Sequence, residues 1–249
     1  MKKPDRNAQQ KFIKSRKAEL DYARKLRSVA KQIDHIVRGL APNGVVGDLG
    51  ELTRSLHRYA ETITPWAESV AKRMLQDIAR RDADMWKQFS NEMGRDLQAL
   101  IENAPIGRAM AQALNDQVKL IQSLPLEAAQ RVHDLTILGL SDSTRASEIA
   151  KEIFDTGNVT KSRATMIART EVGRTATELT KVRAESAGIT HYIWRTSMDS
   201  DVRKSHRKMN GKVIAFNEAP EVDPGKHYHA GSFPNCRCYC EPIIPEDYK

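Results

Sequence analysis

The last third of this chain, residues 167–242, constrains the fold more than any other part. A helical run ends at Gly188, as expected of a glycine just beyond a helix C-terminus. Three short segments rich in strand-forming residues follow, namely His191–Arg195, Lys212–Phe216 and Tyr239–Ile244. A helix followed by three short strands predicts a small C-terminal α+β module with a short sheet.

The residues before this module carry the spacing of amphipathic helices. Over residues 12–40, apolar side chains recur at steps of three and four, which predicts a first helix. Residues 1–10 lack this pattern and are predicted to be disordered. Asp48 followed by Glu51 resembles a capping box and predicts the start of a second helix.

Prolines and glycines divide the following residues into further helices. Thr64 before Pro65 predicts the N-cap of a long helix that ends near Asn103. The remaining predictions are helices from about Arg108 to Leu124, from Pro125 to about Leu140, from a cap at Ser143 or Thr144 to Phe154 and from a cap at Ser162 to Ala187, with a loop at 155–162. The predicted class is α+β, with an extended, mainly helical N-terminal region before the small module.

Positive charge is concentrated at the start of the chain. The net charge is +8, and residues 1–38 alone hold 12 Lys and Arg against 4 Asp and Glu, so the rest is neutral overall. A basic arm on a neutral body indicates contact with a polyanion, with double-stranded DNA as the leading candidate. The side chains expected to make that contact are Lys11, Lys14, Arg16, Lys17, Arg24 and Lys25. The alternative is an ordinary solvated helix face.

The cysteines indicate a reducing compartment. Cys236, Cys238 and Cys240 are the three cysteines of the chain and stand at every second residue. This arrangement does not suit a disulfide framework and is typical of free thiols or metal ligands. No window approaches the ~18 apolar residues needed to cross a bilayer, and the basic first residues lack the apolar stretch of a secretory signal. We therefore expect no membrane partner.

A structural zinc site is predicted from this stretch if the chain bends at Asn235 and Cys236. In a flat strand the Cys236 and Cys238 side chains would share one face about 7 Å apart, too far to hold one ion. A bend would bring both thiolates to one zinc. The candidate ligands are His206, Cys236 and Cys238 with one of His227 and His229, of which His229 is taken into the set, and Cys240 is the weakest candidate. The alternative is a pair of small buried thiols.

Polar residues between the first two strand segments predict a turn and a short helix. Asp199 or Ser200 is expected to cap that helix. Arg203 and His206 are three residues apart and share a face. Gly211 is expected to terminate the helix.

The helix before the first strand carries three charged residues within about one turn. Arg169, Glu171 and Arg174 are expected to form an internal ion-pair network. This structural role is favoured over a catalytic role for Glu171.

Six short motifs occur in a fixed order over the second half of the chain. They are IARTEVGR at 167–174, Trp194, DSDVRKSH at 199–206, GKV at 211–213, PNCRC at 234–238 and Glu241-Pro242. In this order they resemble the Mu F-like phage head morphogenesis family, also called minor head proteins, over roughly residues 125–244. Phe233-Pro234 stands where many members have His-Pro, which shifts a ligand role to His227 or His229. Ser205-His206 stands where some relatives carry C-x-x-C, so a zinc site here would be a variant.

The resemblance implies a structural minor head protein of a tailed phage or prophage. It implies assembly in the bacterial host cytoplasm and a place inside the phage head. The implied partner is the portal protein during procapsid assembly, with scaffold protein, major capsid protein and packaged DNA as further candidates. Residues 1–124 would form the helical N-terminal region and residues 125–249 the Mu F-like domain. No enzyme activity, catalytic residue or cofactor besides the zinc is implied, and the family-motif residues Arg169, Thr170, Glu171, Arg174, Asp199, Arg203 and Gly211 take structural roles.

The alternative function is a metal-dependent nuclease that uses Asp199, His206 and the region of Cys236 and Cys238. A histidine beside a metal can activate water for attack on a phosphodiester. However, histidine–metal nucleases usually place the histidine on a hairpin ahead of the metal-binding helix, whereas His206 lies on the predicted helix itself. Asp199 is also better explained as a helix cap, so the structural role is favoured.

Overall fold

The computed structural model describes residues 6–90, 103–141 and 146–244, and it confirms the α+β class. The α-helices in these ranges are α1 (Arg6–Leu40), α2 (Leu49–Thr62), α3 (Thr64–Ser90), α4 (Ile106–Ser141), α5 (Ala146–Phe154), α6 (Thr156–Ser186) and α7 (Lys204–Met209). The strands are β1 (His191–Arg195), β2 (Val213–Ala215), β3 (Glu221–Asp223), β4 (Lys226–His227) and β5 (Tyr239–Pro242). The caps predicted at Ser143 or Thr144, and the last part of the long helix predicted to end near Asn103, lie outside the described residues.

The first helix is confirmed but begins earlier than predicted. Its apolar stripe is buried at Tyr22, Leu26, Val29, Ile33 and Val37. α1 starts at Arg6, so the prediction of disorder is wrong for residues 6–10. These residues have no apolar face but include good helix formers, Arg, Ala and Gln, and extending an existing helix is far easier than starting one.

One of the two helix caps predicted in this half is confirmed and the other is wrong. The Glu51 backbone N–H donates to Asp48 Oδ1 over 2.9 Å, as a capping box requires. The Thr64 hydroxyl instead donates to the Glu61 carbonyl over 2.8 Å. Ile63 has helical dihedral angles of φ −77° and ψ −12°, so no extended residue is present to act as an N-cap between α2 and α3.

The helix break predicted at Pro125 is also wrong. α4 runs through this proline without interruption. Pro125 has no N–H to donate to the Ile121 carbonyl, which costs about 3 kcal/mol in a helix interior. Ile121, Leu124 and Ala128 are buried around it. Burial of a large aliphatic side chain contributes about 1.5–3 kcal/mol, so packing of this face offsets the lost bond.

The loop predicted at residues 155–162, with Ser162 as a cap, is helical instead. α6 begins at Thr156, with the single residue Asp155 between it and the end of α5. Thr156 and Thr160 are both buried, at the four-residue spacing of a helix face, and the Thr160 hydroxyl donates to the Thr156 carbonyl over 2.8 Å. Burial of this face outweighs the turn-forming tendency of a polar, glycine-containing segment.

The chain divides into two compact units. Unit 1 comprises residues 1–20, 73–114 and 169–249, and unit 2 comprises residues 21–72 and 115–168. Helices α1, α3, α4 and α6 each contribute residues to both units. The boundary predicted within α4, between the N-terminal region and the family domain, stays a prediction.

Unit 2 has an apolar helical core. Its fully buried large side chains are Leu26, Ile33, Leu52, Leu56, Ile121 and Leu124. A buried hydrogen bond from the Tyr22 hydroxyl to Gln117 Oε1, at 2.9 Å, joins residues far apart in sequence.

In the described part of the chain, every helix is too short or too polar to cross a bilayer.

Unit 1 contains the predicted sheet, in the order β2-β1-β5 with both pairings antiparallel. The three strand predictions are confirmed in position. Tyr192 and Trp194 alternate along the central strand β1, and both are fully buried. They pack in one cluster with Trp86, Phe216 and other apolar residues of this unit. The two-residue alternation of β1 therefore sets which face of the sheet forms the core.

A two-stranded hairpin, β3 paired with β4, was not predicted from the sequence. Its turn contains Pro224 and Gly225, and Gly225 has φ +70°, which glycine adopts without strain. The Gly225 N–H donates to Glu221 Oε1 over 2.7 Å. The Asp-Pro-Gly sequence at this point is a turn signal that would have predicted the hairpin.

Candidate metal centre

The bend on which the predicted zinc site depends is present. Asn235 has φ +60°, in the left-handed region, and the Cys236 N–H donates to the Phe233 carbonyl over 3.1 Å. Asparagine tolerates this conformation better than most residues. Residues 233–238, called here the cysteine loop, therefore form a turn before β5 begins at Tyr239.

The cysteine loop and α7 bring three of the four predicted ligands together. His206 Nδ1 lies 3.3 Å from Cys236 Sγ and 3.4 Å from Cys238 Sγ. The Cys238 backbone N–H also donates to Cys236 Sγ over 3.2 Å. The three side chains are buried, and their ligand atoms all lie within 4.8 Å of one another. This spacing suits a single metal ion.

Two aromatic rings pack against the His206 ring. The rings of Trp194 and Phe233 stand nearly perpendicular to it, with centroids 5.8 Å and 5.1 Å away. In the described part of the chain, His206 Nε2 is buried and has no hydrogen-bond partner. The imidazole is thus oriented with Nδ1 toward the two sulfur atoms.

The two thiols differ in their affinity for a proton. Hydrogen bonding from Cys238, with a further contribution from His206, lowers the pKa of the Cys236 thiol well below its usual value. The same contact with Cys236, together with burial, raises the pKa of the Cys238 thiol. Of the two thiols, Cys236 is therefore the one that loses its proton more readily.

His229, the predicted fourth ligand, lies outside this group. Its Nδ1 is 3.1 Å from the Tyr192 hydroxyl, and burial followed by the nearby Lys181 charge lowers its pKa. His227 is exposed on β4, with Nδ1 3.2 Å from the Ala219 carbonyl. Placing His229 in the ligand set is therefore not supported. The sequence alone could not show that its side chain contacts the sheet.

Cys240 also lies apart from the group. Its thiol donates to the Ala230 carbonyl over 3.6 Å. Its sulfur is not part of the ligand group formed by His206, Cys236 and Cys238. Its rank as the weakest ligand candidate agrees with this position.

Three family-motif residues hold the cysteine loop in its bent form. Arg169 donates to the Asn235 side-chain carbonyl over 2.7 Å, and the Thr170 hydroxyl accepts from the Asn235 N–H over 2.9 Å. Arg203 donates to the Pro234 carbonyl over 3.1 Å and lies over the Phe233 ring. The predicted structural role of these residues thus has a concrete form: they fix the backbone that carries the two cysteines.

The ion pairs differ in part from those predicted. Glu171 and Arg174 pair over 3.0 Å, as expected. Arg169 instead pairs with Glu19 of α1 over 3.0 Å. Glu19 also accepts from Arg237 over 3.3 Å, so one buried carboxylate joins two arginines from distant parts of the sequence. Sequence reasoning missed Glu19 and Arg237, since nothing local marks a pair separated by 218 residues.

Asp199 is not the cap of α7, contrary to prediction. The N-cap position is Arg203, and it makes no side-chain capping bond. Asp199 Oδ1 accepts from the Asp201 N–H over 3.2 Å, and Oδ2 lies 3.7 Å from the Arg237 guanidinium. α7 begins later than the turn residues suggest. It ends as predicted, since Gly211 follows the helix with φ +85°.

Two glycines allow α6 to approach the segment before the cysteine loop. A Cβ on Gly173 would lie 2.6 Å from the Gly231 carbonyl oxygen. Gly231 has φ +91°, and a Cβ there would lie 2.6 Å from Thr177 Oγ1. The Thr177 hydroxyl donates to the Ala230 carbonyl over 2.6 Å, which this close approach makes feasible.

The three candidate ligands line a cavity of about 270 Å³. Its other walls include Arg169, Asp199, Asp201, Arg203 and Arg237. The metal candidates thus lie at a polar cavity that could hold water molecules.

The predicted DNA-contacting residues belong to α1. Arg16, Lys17, Arg24 and Lys25 are exposed, and Arg24 pairs with Asp21 over 3.3 Å. For Lys11 and Lys14 the structure describes the helical backbone but not the side chains. DNA contact stays a prediction.

The fold and the site define an α+β protein in which several motif residues contact the cysteine loop. Residues 130–241 match the family described as Phage Mu protein F like protein. The resemblance drawn from the motifs is confirmed over these residues.

The curated relatives of this chain share only part of their length with it. An uncharacterized protein of Haemophilus influenzae is 28% identical over 197 residues, 78% of this chain and 43% of that protein. Minor head protein GP7 of Bacillus phage SPP1 is 26% identical over 161 residues, 60% of this chain and 50% of that protein. The NAD(+)–arginine ADP-ribosyltransferase EFV of Enterococcus faecalis is 31% identical over 122 residues, 45% of this chain and 25% of that protein. The chain thus spans half or less of each relative. No solved structure matches it.

Proposed function

We propose that this chain is a structural minor head protein of a tailed phage or prophage, acting in procapsid assembly at the portal vertex. The observation that carries the proposal is the family match over residues 130–241, together with the similarity to minor head protein GP7. The match to the ADP-ribosyltransferase leaves three quarters of that protein outside it, so its named activity does not transfer.

The contacts of the motif residues support a structural role. The polar atoms of Arg169, Thr170 and Arg203 described above bind backbone or side-chain groups of the cysteine loop. Side chains used in this way fix a shape, which is what docking on a preformed ring of subunits requires. The three described cysteines are free, which fits assembly in a reducing host cytoplasm.

Portal association can be tested with the phage or prophage that encodes the chain. Tagged portal protein is purified from cells that express this chain, and mature virions are analysed by mass spectrometry. We expect the chain in both samples. Arg169→Ala, which releases the cysteine loop, should reduce recovery with the portal, and the exposed Arg54→Ala should not. Absence of the chain from both portal complexes and virions would overturn the proposal.

We further propose that the basic arm on α1 contacts packaged DNA. Removing the charges of Arg16, Lys17, Arg24 and Lys25 by substitution with Gln should weaken plasmid retardation and flatten its salt dependence. A matched variant removes four exposed charges elsewhere, at Arg54, Arg58, Lys72 and Lys119. Equal loss of binding in both variants would show that net charge, and not the arm, is responsible.

A metal-dependent nuclease is the second candidate function. It is favoured by one observation, that His206 and the two cysteines line a polar cavity together with Asp199. The same plasmid is incubated with magnesium, zinc or a chelator. Intact, retarded plasmid in every lane supports the structural role. Nicked plasmid in the metal lanes, lost in His206→Ala, would favour the nuclease.

A further inference from the structure

The cysteine loop and α7 supply three ligand atoms, one fewer than a tetrahedral zinc ion requires. The N···S distances of 3.3 Å and 3.4 Å are close to the ~3.6 Å expected between nitrogen and sulfur ligands of one tetrahedral zinc, from bond lengths of about 2.0–2.1 Å and 2.3 Å. Among the described residues, no fourth His, Cys, Asp or Glu joins the group. The two nearest candidates by sequence, His229 and Cys240, bond elsewhere.

The ligand types narrow the choice of metal. Two thiolates and an imidazole are soft to intermediate donors, which favour zinc over magnesium, calcium or manganese. An iron–sulfur cluster requires more cysteine ligands than the two that converge here. The sulfur and nitrogen atoms are also buried, so a bound ion would be protected from exchange on three sides.

The loop is held in its ligand-bearing shape by groups that take no part in ligation. Arg169, Thr170 and Arg203 fix the backbone at residues 234 and 235. The perpendicular rings of Trp194 and Phe233 fix the imidazole. Such preorganisation reduces the conformational cost of binding an ion.

We propose that His206 Nδ1 and the Cys236 and Cys238 sulfur atoms bind one zinc ion, whose fourth position faces the polar cavity and is filled by water. The cavity of about 270 Å³ has room for several water molecules, and its wall includes the three ligands themselves. This differs from the site predicted from sequence, in which a second histidine closed the tetrahedron. An open fourth position leaves the ion accessible to a small exogenous ligand.

Zinc content tests the ligand set directly. The full-length protein is saturated with zinc, dialysed and measured by plasma mass spectrometry, and we expect about one zinc per chain. Cys236→Ser, Cys238→Ser and His206→Gln should each weaken zinc affinity at least about tenfold. The matched controls are Cys240→Ser and His229→Gln, which change the same residue types outside the group and should retain the ion. Zinc content below about a tenth per chain in the unmodified protein would refute the site, as would equal loss in both controls.

Spectroscopy on the unmodified protein tests the same site without relying on variants that could misfold. X-ray absorption of the zinc-loaded protein should show two sulfur and two nitrogen or oxygen neighbours. Three sulfur neighbours would bring Cys240 into the site and overturn the proposed set. In the cobalt-substituted protein, added azide should change the visible absorption bands, because it can replace water at the fourth position. Unchanged bands at saturating azide would mean that the fourth position is closed.

Discussion

The buried Asp, Glu, Arg and His side chains of the described chain lie in unit 1, whereas unit 2 buries mainly apolar surface. In unit 1 they are Glu19, Asp82, Glu171, Arg183 and His206. The buried polar residues of unit 2 are Gln117, Thr156 and Thr160, which are uncharged. The same helices α1, α3, α4 and α6 contribute to both units, so the difference lies in side chains and not in the type of element.

The two units therefore depend on different kinds of interaction to specify their structures. Apolar burial is non-directional and tolerates small shifts of one helix against another. A buried carboxylate between guanidinium groups is satisfied only at short range and in the right geometry. Unit 1, which holds the cysteine loop in its bent form, therefore adds directional pairs to its apolar core.

The largest expected effect is at the buried Asp82–Arg183 pair of unit 1. Arg183 donates to Asp82 over 2.8 Å, and the Thr180 hydroxyl donates over 2.9 Å. Asp82→Ala should lower the free energy of unfolding by about 3–5 kcal/mol, because it leaves a buried guanidinium without its carboxylate. Urea denaturation measures the loss. Asp77→Ala, which removes the partly exposed pairs with Arg80 and Arg81, should cost at most about 1 kcal/mol.

A core truncation in unit 2 should cost somewhat less and follow a different rule. Leu56 is fully buried, so Leu56→Ala should lower the free energy of unfolding by about 3 kcal/mol through lost burial and a residual cavity. Leu56→Met, which keeps the volume, should cost less than about 1.5 kcal/mol. If Leu56→Met were as damaging as Leu56→Ala, unit 2 would depend on exact shape as strongly as unit 1. Urea denaturation of the three proteins decides between these outcomes.

Two helical glycines should respond to alanine with opposite signs. Gly173→Ala places a Cβ against the Gly231 carbonyl and should destabilise unit 1 by about 1–3 kcal/mol. Gly39, in α1, has open space around it, so Gly39→Ala should stabilise by about 0.5–1 kcal/mol through helix propensity. Thermal melts of both variants give the sign. A stabilised Gly173→Ala would show that α6 and the segment at Gly231 do not approach closely.

The smallest effect concerns pH. Burial lowers the pKa of His229, so the folded state binds this proton less readily than the unfolded state. The stability contributed by neutral His229 is therefore complete above about pH 6.5 and declines as the pH falls through the depressed value. His229→Gln should flatten this decline, measured as urea midpoints from pH 7 to pH 5, while the exposed His57→Gln of unit 2 should leave it unchanged. The same slope in both variants would assign the acid sensitivity to other groups.

Much of the candidate site could be predicted because its parts lie close together in sequence. The order of the motifs indicated the family whose model matches residues 130–241, and the Cys236–Cys238 spacing required a bend that Asn235 supplies. His206 was expected on a short helix and among the ligands, and it lies on α7 with its ring beside the two cysteines. His229 could not be judged in this way, because its contact with Tyr192 depends on how the hairpin folds over the sheet.

Local physical chemistry is what the sequence by itself determined. The apolar stripe of α1, the Asp48 cap and the alternation in β1 each act over a few residues and are confirmed. Tertiary structure decided the rest. α4 continues through Pro125 because its buried face packs in the core. Glu19 contacts Arg169, 150 residues away in sequence, only in the folded chain. Propensities and caps contribute a few tenths to about 1 kcal/mol each, whereas burial of a side chain or pairing of a buried charge contributes several times more, so distant contacts overrule local ones wherever the two conflict.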